Sequence, residues 1–197
     1  LSPSGNFVNN FEKKLEEFTN SNVICCNSGT SALHISLVSA GVKFDDEVIV
    51  PSVTFIATVN TILYCGARPV FMDCDESLCV DSNKLLEFLK KNTYSIKKNT
   101  YNINTKKKIS AVMVTHVFGN LVNLKEVAKE CKKKNIKLIE DAAESLGSCY
   151  SNQNIHSGTI GDYGVLSFNV NKIITAGAGG AILFKNTSDK KSLMALV

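Results

Sequence analysis

The alternation of short apolar runs with helix-length segments constrains this chain more than any other feature. Runs at 22–27 (N-V-I-C-C-N), 47–51 (E-V-I-V-P), 69–73 (P-V-F-M-D), 109–116 (I-S-A-V-M-V-T-H) and 136–144 (I-K-L-I-E-D-A-A-E) read as strands. Helical patterns lie before and between them. Val8, Phe11, Leu15 and Phe18 recur at spacings of three and four over 7–19. A helix over about 30–40 starts at Ser28 or Thr30 as its cap and stops at Gly41. Phe55, Ile56, Val59, Ile62 and Leu63 read as one inward face of a helix ending near Gly66. Leu85, Leu86 and Leu89 face inward from 82–90, and Leu124, Val127, Ala128 and Cys131 from 123–134. Strands that alternate with helices predict an α/β fold, a mostly parallel sheet covered on both faces in three layers. No helix fits between 163–168 and 181–184, so these two are expected to pair antiparallel or to lie at a sheet edge, giving one antiparallel strand. The polar stretch 92–108 reads as a surface loop or an irregular hairpin. The 197 residues suffice for one domain with a real core.

Several function classes are set aside by composition. No run approaches the roughly 18 apolar residues of a membrane span. The opening L-S-P-S-G-N-F has neither a basic nor an apolar signal region, so a cytoplasmic, non-membrane protein is expected. The chain opens on Leu1 and stops inside a helical pattern at S-L-M-A-L-V, so both ends read as cut. Net charge is +4, from lysines in 84–108 and 125–137 that lack interleaved aromatics on one face. Solvated helix faces are expected there, not a nucleic-acid groove. The seven cysteines are odd in number and include no C-x-x-C, which fits reduced thiols used as small apolar residues. The three histidines form no metal pattern.

In sheets of this kind ligands bind beyond the carboxyl ends of the strands. Three sets of polar residues fall there. N-S-G-T-S-A-L after the first strand can offer free N–H groups and hydroxyls to a phosphate, or merely cap a helix. Asp141 follows the fifth strand and is either a site acid or a helix cap. Lys172 lies in S-F-N-V-N-K-I-I-T-A-G-A-G-G (167–180), between two apolar runs. Such a lysine is a surface residue in a turn or an amine consumed by Schiff-base chemistry. Phe55 either stacks on a ligand ring or packs in the core. A lysine, an acid for a ring nitrogen and a helix end for a phosphate are the protein's share of a pyridoxal phosphate site.

These stretches, together and in order, resemble the DegT/StrS-type family of sugar aminotransferases, which have the type I fold of pyridoxal phosphate enzymes. The resemblance covers nearly the whole chain. It is carried by N-S-G-T-S-A-L-H (27–34), D-E-V-I-V-P-S-V-T-F-I-A-T-V-N (46–60), G-A-R-P-V-F-M-D (66–73), T-H-V-F-G (115–119), E-D-A-A-E-S-L-G (140–147), G-D-Y-G-V-L-S-F (161–168) and the Lys172 segment. It implies that 1–197 is a cofactor-binding large domain, incomplete at both ends and without the family's smaller C-terminal domain. It implies that Lys172 is the Schiff-base lysine and Asp141 the acid on the pyridine nitrogen. Thr30, Ser31 and Ser167 match the phosphate ligands, and Gly29 belongs to the same cofactor-binding set. Phe55 matches the aromatic over the ring. Glu144 stands where many members have Gln or His beside the cofactor and others have Glu. G-A-G-G at 177–180 departs from the more usual G-E-G-G.

V-F-M-D-C-D, the 92–108 insertion, T-H-V-F-G-N and S-F-N-V-N-K-I-I-T look most like the branch acting on UDP-linked 4-keto-6-deoxy amino sugars on the route to legionaminic acid. The implied reaction moves the amino group of L-glutamate to the 4-keto carbon of a nucleotide-linked sugar, with the freed Lys172 as general base. The implied assembly is a homodimer with the site at its interface. Rival expectations are a dehydratase of the same family, in which His replaces the lysine, and a non-catalytic regulatory or assembly module. A nicotinamide-binding domain would want G-x-G-x-x-G after the first strand, which N-S-G-T-S-A-L is not.

Overall fold

The computed structural model describes residues 5–150 and 154–197; the reading of Leu1 as a cut edge lies outside them. Helix α1 (Asn6–Thr19) leads into strand β1 (Asn22–Cys26), then α2 (Gly29–Ser39), β2 (Glu47–Pro51), α3 (Ile56–Tyr64) and β3 (Arg68–Met72). Next come α4 (Ser82–Lys91), the hairpin β4 (Thr93–Ile96) and β5 (Asn99–Asn102), β6 (Lys108–Thr115), α5 (Lys125–Lys133) and β7 (Lys137–Asp141). A small ribbon of β8 (Cys149–Tyr150) and β9 (Ile155–His156) precedes β10 (Tyr163–Ser167), β11 (Gly180–Phe184) and α6 (Lys190–Met194).

The main sheet has the order β1-β11-β10-β7-β6-β2-β3. Its strands share one direction except β11, which runs against both β1 and β10. Alternation along each strand divides the core into two layers. Ala111, Met113, Ile139 and Val165 pack with α2, α3 and α6 on one face. Val112, Val114 and Leu138 pack with α4 and α5 on the other. There too Leu166, Ala181 and Leu183 meet α1. The three-layer α/β expectation therefore holds, including the antiparallel strand at 180–184.

Two expectations are sharpened or changed. Of the two readings of 92–108, loop or hairpin, the hairpin holds, and β5 adds a second reversed strand by pairing antiparallel with the start of β6. It fits there because β7 first pairs at Ala111, leaving Lys108 and Ile109 open on that side. Buried polar contacts fix it: Asn102 Nδ2 donates to Glu47 Oε2 at 2.9 Å, and Thr100 Oγ1 donates to the Lys134 carbonyl at 2.7 Å.

The inward face of α3 is also different. Thr58, Thr61 and Ile62 are buried, while Phe55 just before the helix and Ile56 and Leu63 on it are exposed. Counting apolar positions could not detect the hydrogen bonds that draw the threonines inward. Thr58 Oγ1 reaches Asp141, and Thr61 Oγ1 donates to the Thr58 carbonyl.

Candidate active site

The carboxyl ends of β1, β2, β6, β7 and β10 open on one side of the sheet. The turns that leave them line a single cavity of about 430 Å³. Ser28, Gly29 and Thr30 come from the first, Thr54 and Phe55 from the second, and Thr115 and Phe118 from the third. Asp141 and Glu144 come from the fourth, Ser167 and Lys172 from the fifth.

The cradle is built at the start of α2. Ser28 is the N-cap, its Oγ accepting from Ser31 N–H at 3.1 Å. A Cβ on Gly29 would lie 2.9 Å from Ser167 Cβ. Glycine thus lets the end of β10 stand directly beside the helix start. First-turn N–H groups lack partners within a helix and favour an anion. Here they are joined by the hydroxyl residues Thr30 and Ser167 on the same wall.

Asp141 ends β7 and is only 4% exposed. Its Oδ2 accepts from Thr58 Oγ1 at 2.7 Å, and its Oδ1 accepts from Ala143 N–H at 3.2 Å. Burial pushes its carboxyl above the usual carboxylate range; the Thr58 and Ala143 donors and the nearby Lys172 act the other way. No helix begins at residues 142–148, so the alternative of a helix cap does not describe this aspartate.

Lys172 sits in the connection between β10 and β11. Its N–H donates to the Asn169 carbonyl at 3.0 Å, and Ala176 N–H returns to the Phe168 carbonyl at 3.0 Å. This looped path turns the side chain onto the cavity. Nζ lies 3.4 Å from Glu144 Oε1 and 5.7 Å from the centre of the Phe55 ring. Glu144 Oε2 in turn accepts from Phe118 N–H at 3.2 Å. Phe55 is 64% exposed, so it is not a core residue. Phe118 has φ +52°, a left-handed conformation rarely held by a bulky residue.

The structure therefore brings Gly29, Thr30, Phe55, Asp141, Glu144, Ser167 and Lys172 to one wall. Ser31 is not on that wall; its hydroxyl lies 3.0 Å from Ser28 Oγ, behind the helix cap. Sequence reasoning missed Thr54, Thr58 and Thr115, for which the four-residue spacing of Thr54 and Thr58 was the only available signal. It also missed a buried pair behind Asp141. His116 Nδ1 accepts from Val122 N–H, so Nε2 carries the proton it donates to Glu140 Oε2 at 2.9 Å. Glu140 accepts further from the N–H groups of Gly158, Ile160 and Gly161, fixing the segment before β10. Among the described residues no group of three or more His, Cys, Asp or Glu is placed to hold a metal. No helix there is long and apolar enough to cross a membrane.

The residues present fit pyridoxal phosphate. A desolvated carboxyl group lining the cavity suits a pyridinium nitrogen, the crowded Gly29–Ser167 corner suits a phosphate, and Lys172 supplies an amine.

Comparison with known proteins agrees with this geometry. The model of the DegT/DnrJ/EryC1/StrS aminotransferase family matches residues 1–197. The GDP-perosamine synthase of Caulobacter vibrioides is 36% identical over 199 residues, covering 100% of this chain and 48% of its own. The UDP-4-amino-4,6-dideoxy-N-acetyl-beta-L-altrosamine transaminase of Campylobacter jejuni is 34% identical over 183 residues, covering 92% and 44%. A solved DegT/DnrJ/EryC1/StrS aminotransferase from Brucella abortus superposes with a TM-score of 0.84 at 29% identity, covering 97% of this chain and 49% of that one. The chain spans about half the length of the curated relatives it matches.

Proposed function

The chain belongs to the DegT/DnrJ/EryC1/StrS aminotransferase family, and from that premise we propose that its protein is a pyridoxal phosphate-dependent sugar aminotransferase. It takes the amino group of L-glutamate and places it on the 4-keto carbon of a nucleotide-linked 6-deoxy sugar. The proposed acceptor is of the UDP-4-keto-6-deoxy-N-acetylglucosamine type, feeding nonulosonic acid and surface-glycan synthesis in the cytoplasm. One observation carries the reading: Lys172, Asp141 and the Gly29–Thr30–Ser167 cradle line the same cavity.

When bound, pyridoxal phosphate supplies an aldehyde carbon for amine exchange and a protonated ring that withdraws electrons from it. The cradle and the start of α2 would hold the phosphate, Asp141 would pair with the ring nitrogen, and Phe55 would lie against the ring. Lys172 is the only basic residue among the described residues that line the cavity. Its Nζ would anchor the cofactor and, as a free amine, would be the base that takes a proton from the Cα of glutamate. Glu144 keeps that Nζ near the mouth through its 3.4 Å contact.

Phe55 and Ile56 at the start of α3, Leu63 and Tyr64 at its end, and Val170, Ile173 and Ile174 in the lysine loop are exposed. Exposed apolar side chains of this number are a common mark of a covered surface. They support a homodimer whose second copy closes the cavity.

The test is incubation of the full-length protein with L-glutamate and a panel of UDP- and GDP-linked 4-keto-6-deoxy sugars, with products read by mass. An amine in place of the ketone on a UDP sugar is expected. Loss of a hydroxyl without amination would instead mark a dehydratase. Amination confined to GDP sugars would move the acceptor to the perosamine type.

A further inference from the structure

Three threonine hydroxyls run from the cavity wall to Asp141. Thr115 Oγ1 and Thr54 Oγ1 are 2.8 Å apart, Thr54 Oγ1 donates to Thr58 Oγ1 at 2.9 Å, and Thr58 Oγ1 donates to Asp141 Oδ2 at 2.7 Å. Each hydroxyl has one proton. Thr58 spends its proton on Asp141 and Thr54 spends its proton on Thr58, so Thr115 must donate to Thr54. The row therefore points every proton toward the carboxylate. It joins four separate segments: the end of β6, the turn after β2, the first turn of α3 and the end of β7. Thr58 is fully buried, and Thr54 and Thr115 line the cavity.

This arrangement suits the charged form of Asp141. Its Oδ1 faces an N–H that can only donate, and its Oδ2 faces a hydroxyl at 2.7 Å that donates when the carboxyl is ionised. A carboxylate accepts from both partners, and the row of hydroxyls behind Thr58 can then align toward it. We propose that Thr58, oriented by Thr54 and Thr115, is a positioning residue that favours the charged form of Asp141 and holds it aimed at the cavity. The proposal rests on the reading that Asp141 partners the cofactor's ring nitrogen. A hydrogen bond to a charged group contributes more than a neutral one, so its loss should be read as a large change in affinity.

The experiment measures binding of pyridoxamine 5′-phosphate to the full-length protein by fluorescence. That probe carries the ring and phosphate but no aldehyde, so linkage to Lys172 does not contribute. Thr58→Val, which keeps shape and removes the hydroxyl, should weaken binding about tenfold or more. Thr58→Ser should restore most of the affinity, which a purely packing role would not allow. Thr54→Val, on the cavity wall, should give a smaller loss with the core left closed. Unchanged binding in Thr58→Val and Thr54→Val, or equal losses in Thr58→Val and Thr58→Ser, would overturn the relay. Asp141→Asn separates the two levels. If it weakens binding while Thr58→Val does not, only the relay fails. If it binds as wild type does, the assignment of Asp141 fails and the relay with it.

Discussion

Replacing Gly180 with alanine should damage the phosphate cradle from behind. Gly180 opens β11 and stands against the start of α2. A Cβ there would lie 2.5 Å from the carbonyl carbon and oxygen of Ser28 and 2.6 Å from Gly29 N, where ordinary contact is 3.4–4 Å. All three are backbone atoms, so no side-chain rotation relieves them. The strand and the Ser28 turn must move apart by roughly 1 Å. That breaks the bridge between Ser28 and Gly179 and disturbs the cap of α2. Overpacking of this kind costs about 1–3 kcal/mol. For a domain of this size each kcal/mol lowers Tm by about 2–4 °C, so a fall of roughly 2–12 °C is expected by thermal melting. Gly177→Ala is the control. Nothing lies within 4 Å of its Cβ position, and only its φ of +82° resists substitution. It should cost ~1 kcal/mol and leave affinity for pyridoxamine phosphate intact. A Gly180→Ala protein that melts and binds like wild type, or that matches Gly177→Ala in both, would refute the close-packed cradle.

Two further outcomes follow from buried polar groups. Burial raises the Asp141 carboxyl above its unfolded value of 3.8, so its stability contribution is full below that value and is lost as pH rises through the folded one. The stability difference between cofactor-free wild type and Asp141→Asn should therefore shift in favour of the variant as pH rises above about 4 in denaturant titrations; a pH-independent difference would contradict this. Asn102→Ala removes the hydrogen bond donated to buried Glu47 and should cost about 1–3 kcal/mol in the same titrations, with no cost if the hairpin is loosely held.

Much of the site was legible because a parallel sheet places the residue after each strand at one mouth. Once the runs ending at Cys26, Asp141 and Ser167 are read as strands, the meeting of Thr30, Asp141 and Lys172 follows from topology. What pattern could not show depends on hydrogen bonds across the chain. Thr58 turns inward because Asp141 lies 83 residues away in sequence and needs a donor. That rotates Ile56 and Leu63 outward, against the apolar periodicity. The 92–108 hairpin joins the sheet because Asn102 satisfies a buried glutamate 55 residues earlier. Ser31 and Thr30 look equivalent in N-S-G-T-S-A-L. Helical rotation sends Thr30 to the cavity and Ser31 to its own cap.

The central claim is that Lys172 Nζ is the amine that meets the cofactor aldehyde. Its most direct test is borohydride reduction of the full-length protein with pyridoxal 5′-phosphate, followed by peptide mass mapping. The account predicts a phosphopyridoxyl group on the peptide carrying Lys172, absent from Lys172→Ala, with labelling weakened in Asp141→Asn. Label on another lysine with Lys172 unmodified would contradict it.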